Sequence, residues 1–391
     1  MRMPRVEPRW SGVRLLALAA LACAALAAWS AQKADPKKEI DWEGKKQGGK
    51  EETQTLELPR DLPLAVVGET RRLAFHVTPL SGKGLLSQQV RDALKELIRQ
   101  ASGETVLRIR AFVAGPGDLR RVRDIVSQTF GDRRQPLPAL TLVQAGALPL
   151  GGAQVVLEAE TAARKDVNPH GLAWISGRPA TSEDPLGPVA PLTARSLAAL
   201  RQSIEAAGAE PRDALRVTCF FSSLDNLAAS RALVEAEYPK AALDYIQTRR
   251  APATALAACE AVVGLTRDPG SRLRLLDADA AVREPGESQV ALVAAARVVL
   301  TGSQVSFGFE EKDSRLAFSR LKGALEQAGA SLGDVVCARY YPLAAGIAGQ
   351  VRKIRGEFFD PAHGPAGTLL VFEGLPSLDA GFGVDAVAAK D

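Results

Sequence analysis

Apolar positions along the chain switch between two periods, and the order of the switches is the same three times. A short alternating run that ends in a turn comes first, as LAFHVTPLSG, LAWISGRP and ARVVLTGSQ. Spacings of three and four follow: Val90, Leu94, Leu97 and Ile98; Leu197, Leu200 and Ile204; Ala317, Leu321, Leu325 and Ala328. Each set places one apolar stripe on a helix. The turns ASGET, AAGAEPRD and QAGASLGD supply glycine where a helix C-cap wants it.

Strands rich in β-branched and aromatic residues enter next, as VLRIRAFVAG, ALRVTCFFSS and VVCARYYPLA. A second helix is marked by Leu119, Val122 and Val126, by Leu227 and Val234, and by Ile347, Val351, Ile354 and Phe358. Every copy closes with strand, turn and strand, and Pro149, Pro252 and Pro376 mark the same turn. The predicted order is therefore strand, helix, strand, helix, strand, strand, over residues 66–165, 166–268 and 269–391. One-sided helices cover one face of a mixed sheet, so the fold class is α/β (α+β) and the other sheet face needs a partner. Three copies in one chain can be that partner for one another.

The N-terminus changes the picture of where the protein works. Residues 1–31 run from basic (Arg2, Arg5, Arg9, Arg14) through LLALAALACAALAAW to small residues at Ser30 and Ala31. That order is a secretory signal, and its apolar run is shorter than a spanning helix needs. The expectation is an exported protein, periplasmic or secreted, with no membrane span after processing; a lipid anchor at Cys23 is the alternative fate. Residues 32–65, beginning QKADPKKEIDWEGKKQGG, read as a solvated tether.

Charge excludes one class of partner. The formal net charge of +4 is spread without a long Lys/Arg run, which argues against nucleic acid. Cys219, Cys259 and Cys337 fall in strand-like runs and are expected as buried free thiols, with a Cys219–Cys259 bridge the alternative in an oxidising compartment. His76, His170 and His363 lack partners at ligand spacing, so no metal is expected. The sequence has no nucleophile elbow, dinucleotide fingerprint or Walker loop.

The run from Arg72 to Ala162 resembles a domain of the Rid family (reactive-intermediate deaminase, YjgF-like, endoribonuclease L-PSP). PALTLVQAGALPLGGAQVVLEAE is similar to that family's closing signature, and Ile175–Gly177 and Leu300–Gln304 resemble its Ser-Gly-Gln turn. The resemblance implies three chorismate-mutase-like modules with two helices on one sheet face. Because family members are homotrimers with clefts between subunits, it also implies a monomer that is its own pseudo-trimer. It implies no cofactor.

The family's chemistry is hydrolysis of enamine and imine intermediates, using an Arg that holds the substrate carboxylate and a Glu that positions water. Aligned on the closing signatures, the Arg is replaced by Leu140, Leu243 and Gly367, and the Glu by Val156, Ala258 and Gly383. A second acidic position persists as Glu158, Glu260 and Asp385, where a fold-supporting or solvated carboxylate is expected. In the first copy the turn itself becomes Val77, Thr78 and Pro79.

The expectation is thus a non-catalytic module that binds a small molecule or a protein. Candidate cleft residues are Ser176, Gly177, Thr301, Gly302, Arg110 and Arg339. The alternative is a hydrolase that retains one cleft near Thr301 and Gly302. Arg249 and Arg250 are expected on a solvated turn.

Overall fold

The computed structural model describes residues 59–391, apart from 116, 252, 280, 282 and 283. The signal segment, residues 32–58 of the tether, Cys23 and Pro252 lie outside the described residues.

A first strand, β1 (Ala65–Glu69), precedes module 1, which runs β2 (Leu73–Val77), α1 (Leu86–Ala101), β3 (Thr105–Ala114), α2 (Leu119–Asp132), β4 (Ala139–Ala145) and β5 (Val155–Ala162). Module 2 is β6 (Leu172–Ser182), α3 (Ala190–Ala206), β7 (Ala214–Phe221), α4 (Leu227–Glu237), β8 (Ala242–Gln247) and β9 (Ala255–Gly264). Two short strands, β10 (Leu273–Leu276) and β11 (Val290–Val293), lead into module 3. That module is β12 (Arg297–Thr301), β13 (Gln304–Phe307), α5 (Glu311–Gln327), β14 (Val335–Pro342), α6 (Ala345–Phe358), β15 (Ala366–Leu369) and β16 (Ala380–Lys390).

The sheets repeat one plan. Their strand orders are β2-β5-β3-β4, β6-β9-β7-β8 and β12-β16-β14-β15. The last neighbours are parallel each time (β3/β4, β7/β8, β14/β15) and the others antiparallel. A parallel pair needs a crossover, and α2, α4 and α6 provide it.

Sheet membership does not follow the segment boundaries read from the sequence. β1 pairs with β12 of module 3, from Ala65 opposite Thr301 to Glu69 opposite Arg297. β11, in the third segment, pairs with β6 of module 2, from Val290 opposite Ile175 to Val293 opposite Leu172. Alternation within a strand says which face is buried and nothing about which neighbour it pairs with.

The helices bury the stripes expected of them. Val90, Leu94 and Leu97 of α1, Leu197, Leu200 and Ile204 of α3, and Ala317, Leu321 and Leu325 of α5 are buried, whereas Ile98, Ala328, Leu227 and Phe358 are half-buried. Gly208 (φ 73°) and Gly329 (φ 75°) close α3 and α5 in the left-handed region, as the turn sequences predict. Asp118 starts α2 by accepting the Arg120 N–H at 2.9 Å.

Each sheet meets its own helices in one apolar cluster, and two further clusters join all three sheets on their helix-free faces. Strand β3 shows how. Ile109, Ala111 and Val113 face the helices of module 1, while Phe112 packs with Phe220 of module 2 and Phe372 of module 3 at centroid distances of 5.9–6.1 Å. The alternate residues Arg108 and Arg110 also point away from the helices. They belong to the site.

Candidate functional site

Between the two shared apolar clusters the sheets enclose a layer of charge. Arg110 lies opposite Glu158 and beside Thr141; Thr218 lies opposite Glu260 and beside Asp244; Arg339 lies opposite Asp385 and beside Thr368. The same pairings set Leu140, Leu243 and Gly367 at one matched position, in agreement with the alignment of the closing signatures.

Within the layer the modules hold one another. Arg110 Nε donates to Glu158 at 2.7 Å and its Nη2 to Glu260 of module 2 at 2.8 Å. Arg339 Nε reaches the same Glu260 at 2.9 Å. Arg108 grips Glu160 through Nε and Nη2 at 3.0 and 2.8 Å, and Arg216 of module 2 donates to Glu160 at 2.8 Å. Thr141 donates to Asp385 of module 3 at 2.9 Å, and Thr368 to Glu260 at 2.5 Å. Asp244 takes the third threonine's place: its Oδ1 accepts from Tyr245 N at 2.8 Å, its Oδ2 has no hydrogen-bond partner among the described residues, and the neighbouring Thr218 donates to Glu158 at 2.5 Å.

Electrostatics follows from that geometry. Burial opposes the charge on Glu160, but Arg108 and Arg216 outweigh it and hold the carboxyl well below its ordinary range. For Glu260, burial is likewise outweighed, here by Arg339 and Arg110, and its pKa falls. Asp244 goes the other way: burial and the neighbouring Glu158 push its carboxyl well above the ordinary range. The layer holds the arginines 108, 110, 216 and 339 against the carboxyls of Glu158, Glu160, Glu260, Asp385 and Asp244. Five carboxyls face four arginines, and Asp244 is the one that burial and Glu158 push toward its neutral form.

This places the sequence candidates. Arg110 and Arg339 are each 2% exposed, engaged by carboxylates and closed to an outside ligand. Glu158, Glu260 and Asp385 are buried supports of the fold. Thr301 accepts from Ala386 N at 2.9 Å. Ser176 donates to Ser288 O at 2.6 Å and accepts from Gly367 N at 2.8 Å, and Gly177 N donates to Thr368 at 3.1 Å. The turn of module 2 is thus docked on Gly367 and Thr368 of module 3.

Val156 and Ala258 lie in the shared apolar cluster, and Leu243 packs at the edge of the module 2 core. Gly383 sits against Leu375 and Val305. Arg250 pairs with exposed Asp225 at 2.9 Å, as a solvated turn requires, while Arg249 crosses to Leu343 O of module 3 at 2.6 Å.

The cysteines correct one expectation. Cys219 and Cys259 are not free thiols: they face each other across β7 and β9 with Cα atoms 4.1 Å apart and form a disulfide. Matched register in adjacent strands brings them together, which their spacing of 40 residues does not reveal. Cys337 is free and buried, and burial raises its thiol pKa to about 11.

An open cleft adjoins Leu140. A cavity of about 540 Å³ lies between module 1 and module 3, with Leu62, Leu140 and Leu142 among its apolar walls. Gly302 is needed there, because a Cβ at that position would come within 2.6 Å of Leu140 O. Ser303 N donates to that oxygen at 3.2 Å. Arg120, Arg123 and Arg320 line the cavity, and among the described residues no Asp, Glu or His does.

Arg123 meets the fully exposed Asp61 at 3.2 Å, and Arg120 meets the exposed Asp118 at 3.3 Å. Arg320 lies 5.3 Å over the Phe307 ring and donates to Val305 O, with no carboxylate partner among the described residues. Sequence reasoning missed these three. Their basic helix positions were visible, but their convergence depends on how module 3 packs on module 1.

Among the described residues no cluster of His, Cys, Asp or Glu is placed to hold a metal, and no helix is long and apolar enough to cross a membrane. No family model and no curated protein matches the chain. Solved structures do. A conserved Rid-family protein from Yersinia pestis is 19% identical over 31% of this chain and 100% of its own, with a TM-score of 0.28. A YjgF-family member from Mycobacterium tuberculosis (22% identity, 30% of this chain, 99% of that one) and another from Neisseria meningitidis (13%, 30%, 95%) both have a TM-score of 0.23. Each of those proteins covers about a third of this chain, the length of one module.

Proposed function

We propose that this is an exported, non-catalytic Rid-like protein, a monomer that binds a small organic anion in the cleft between modules 1 and 3. The observation that supports the binding mode is the pairing of Arg320 with an apolar floor at Leu140 and Leu142. A guanidinium with no carboxylate partner offers an anion a charge-assisted bond, and Phe307 beneath it offers an apolar or flat body a surface. The loss of hydrolysis rests on the cleft's lining: without Asp, Glu or His there is no group to orient and activate water.

Export is supported by the signal pattern of residues 1–31 and agrees with the Cys219–Cys259 disulfide, since such bonds persist in oxidising compartments. The monomer is supported by the three-module layer, which already covers every helix-free sheet face. Light scattering at the mass of one chain is the expected result.

The binding experiment is a calorimetric titration with 2-oxobutanoate and phenylpyruvate. Both should bind wild type, phenylpyruvate more tightly, and Arg320→Gln should weaken both by about tenfold, the effect of losing about 1.4 kcal/mol. Equal binding by wild type and variant would count against the cleft.

A further inference from the structure

The three modules are alike in strand order, yet the outer edges of their first strands are treated differently. The edge of β12 carries β1 and the edge of β6 carries β11, both antiparallel. Among the described residues, β2 has β5 on one side and no strand on the other. Burial follows: Leu172–Ser176 of β6 and Val298–Thr301 of β12 are buried throughout, whereas Ala74–Val77 of β2 are all half-buried.

The direction of the backbone groups on β2 can be fixed. Thr78 N donates to Leu157 O and Arg72 O accepts from Ala163 N, so residues 72, 74, 76 and 78 face inward. Antiparallel alternation then turns Leu73, Phe75 and Val77 outward. The Asn168 side chain confirms this by capping Leu73 O at 2.7 Å. The outward N–H and C=O groups of Phe75 and Val77 have no partner among the described residues. On β6 the corresponding edge is satisfied, where Ser176 N donates to Gln289 O.

Beside this edge lies a groove of about 440 Å³ between modules 1 and 2, lined by Phe75, Leu215, Val167 and Ala242 with Lys240 exposed at its side. Lys240 makes no ion pair among the described residues.

We infer that the free edge of β2 is a docking site for an extended peptide of another protein, which adds an antiparallel strand where β1 and β11 occupy the sister edges. The occupants of those edges define its chemistry. They are AVVGE and VALV, four or five residues of small and β-branched side chains, and the first carries an acidic residue. An acidic residue in the guest would meet Lys240. Main-chain bonds to Phe75 and Val77 give the affinity, and the apolar groove selects the side chains.

The probe is a capped peptide with the sequence of residues 286–294, GESQVALVA, added to the full chain and followed by amide hydrogen exchange in NMR. Protection of the Phe75 and Val77 amides by about tenfold or more at saturation is expected. Val77→Pro removes an outward donor without touching the β2–β5 ladder and should abolish that protection. Because that variant could misfold, the same peptide N-methylated at the positions of Ala291 and Val293, which face the host strand, is tested on the wild type and should not bind. No protection at millimolar peptide, or equal binding of the N-methylated peptide, would overturn the inference.

Discussion

Asp244 stands on β8 beside Thr218, whose hydroxyl donates to Glu158 at 2.5 Å, at the position where Thr141 and Thr368 donate hydroxyl protons to Asp385 and Glu260. Two of three matched places hold an alcohol and the third an acid. Burial and then the charge of Glu158 favour the neutral form of that acid and raise its pKa.

A pH dependence follows from that relationship. The folded-state pKa of Asp244 is raised, so its contribution is full below the ordinary Asp value of about 3.9 and is lost as pH rises toward the folded value. Asp244→Asn is neutral at any pH. The stability of the variant relative to wild type should therefore grow by up to about 1.4 kcal/mol per pH unit as pH rises above the ordinary Asp value toward the raised folded value, read from urea unfolding. A difference that stays constant over that range would contradict the raised pKa of Asp244.

Arg110 joins two modules through Glu158 and Glu260. Arg110→Met leaves both carboxylates buried with a cation missing and should destabilise by about 3–5 kcal/mol. Arg110→Lys should also destabilise, because one ammonium cannot reproduce the fork that spans two carboxylates. Denaturant midpoints of both variants check this, with a wild-type midpoint for the Lys variant the contrary result.

The disulfide closes a loop of 40 residues within module 2. Replacing Cys219 and Cys259 together by Ala should cost about 2–4 kcal/mol, much of it through the unfolded chain. Thermal unfolding of wild type should shift downward with reductant, and that of the double variant should not.

Much of the fold was legible because helix and strand periods are local. Val90, Leu94 and Leu97 predict a buried stripe whatever surrounds them. The recurrence of Glu158, Glu260 and Asp385 was legible too. The exchange of β1 onto β12 was not, since a five-residue apolar strand carries no address for its partner. Nor was the approach of Arg120 and Arg320, which sit on helices of different modules and meet only after the sheets pack. For Arg110 the sequence leaves a cleft role weighed against pairing with a carboxylate; pairing is what forms, but its partners lie 48 and 150 positions away and were not legible.

The most direct test of the central claim, that the cleft keeps ligand binding and has lost hydrolysis, is a turnover assay on 2-aminoacrylate-type enamines, with keto-acid formation coupled to a dehydrogenase. Absence of a water-positioning carboxylate forgoes about 10²–10⁴ in rate. The expected result is a rate indistinguishable from buffer in a sample that binds 2-oxobutanoate. A clear rate above buffer, removed by Arg320→Gln, would contradict the account and make this cleft an active site.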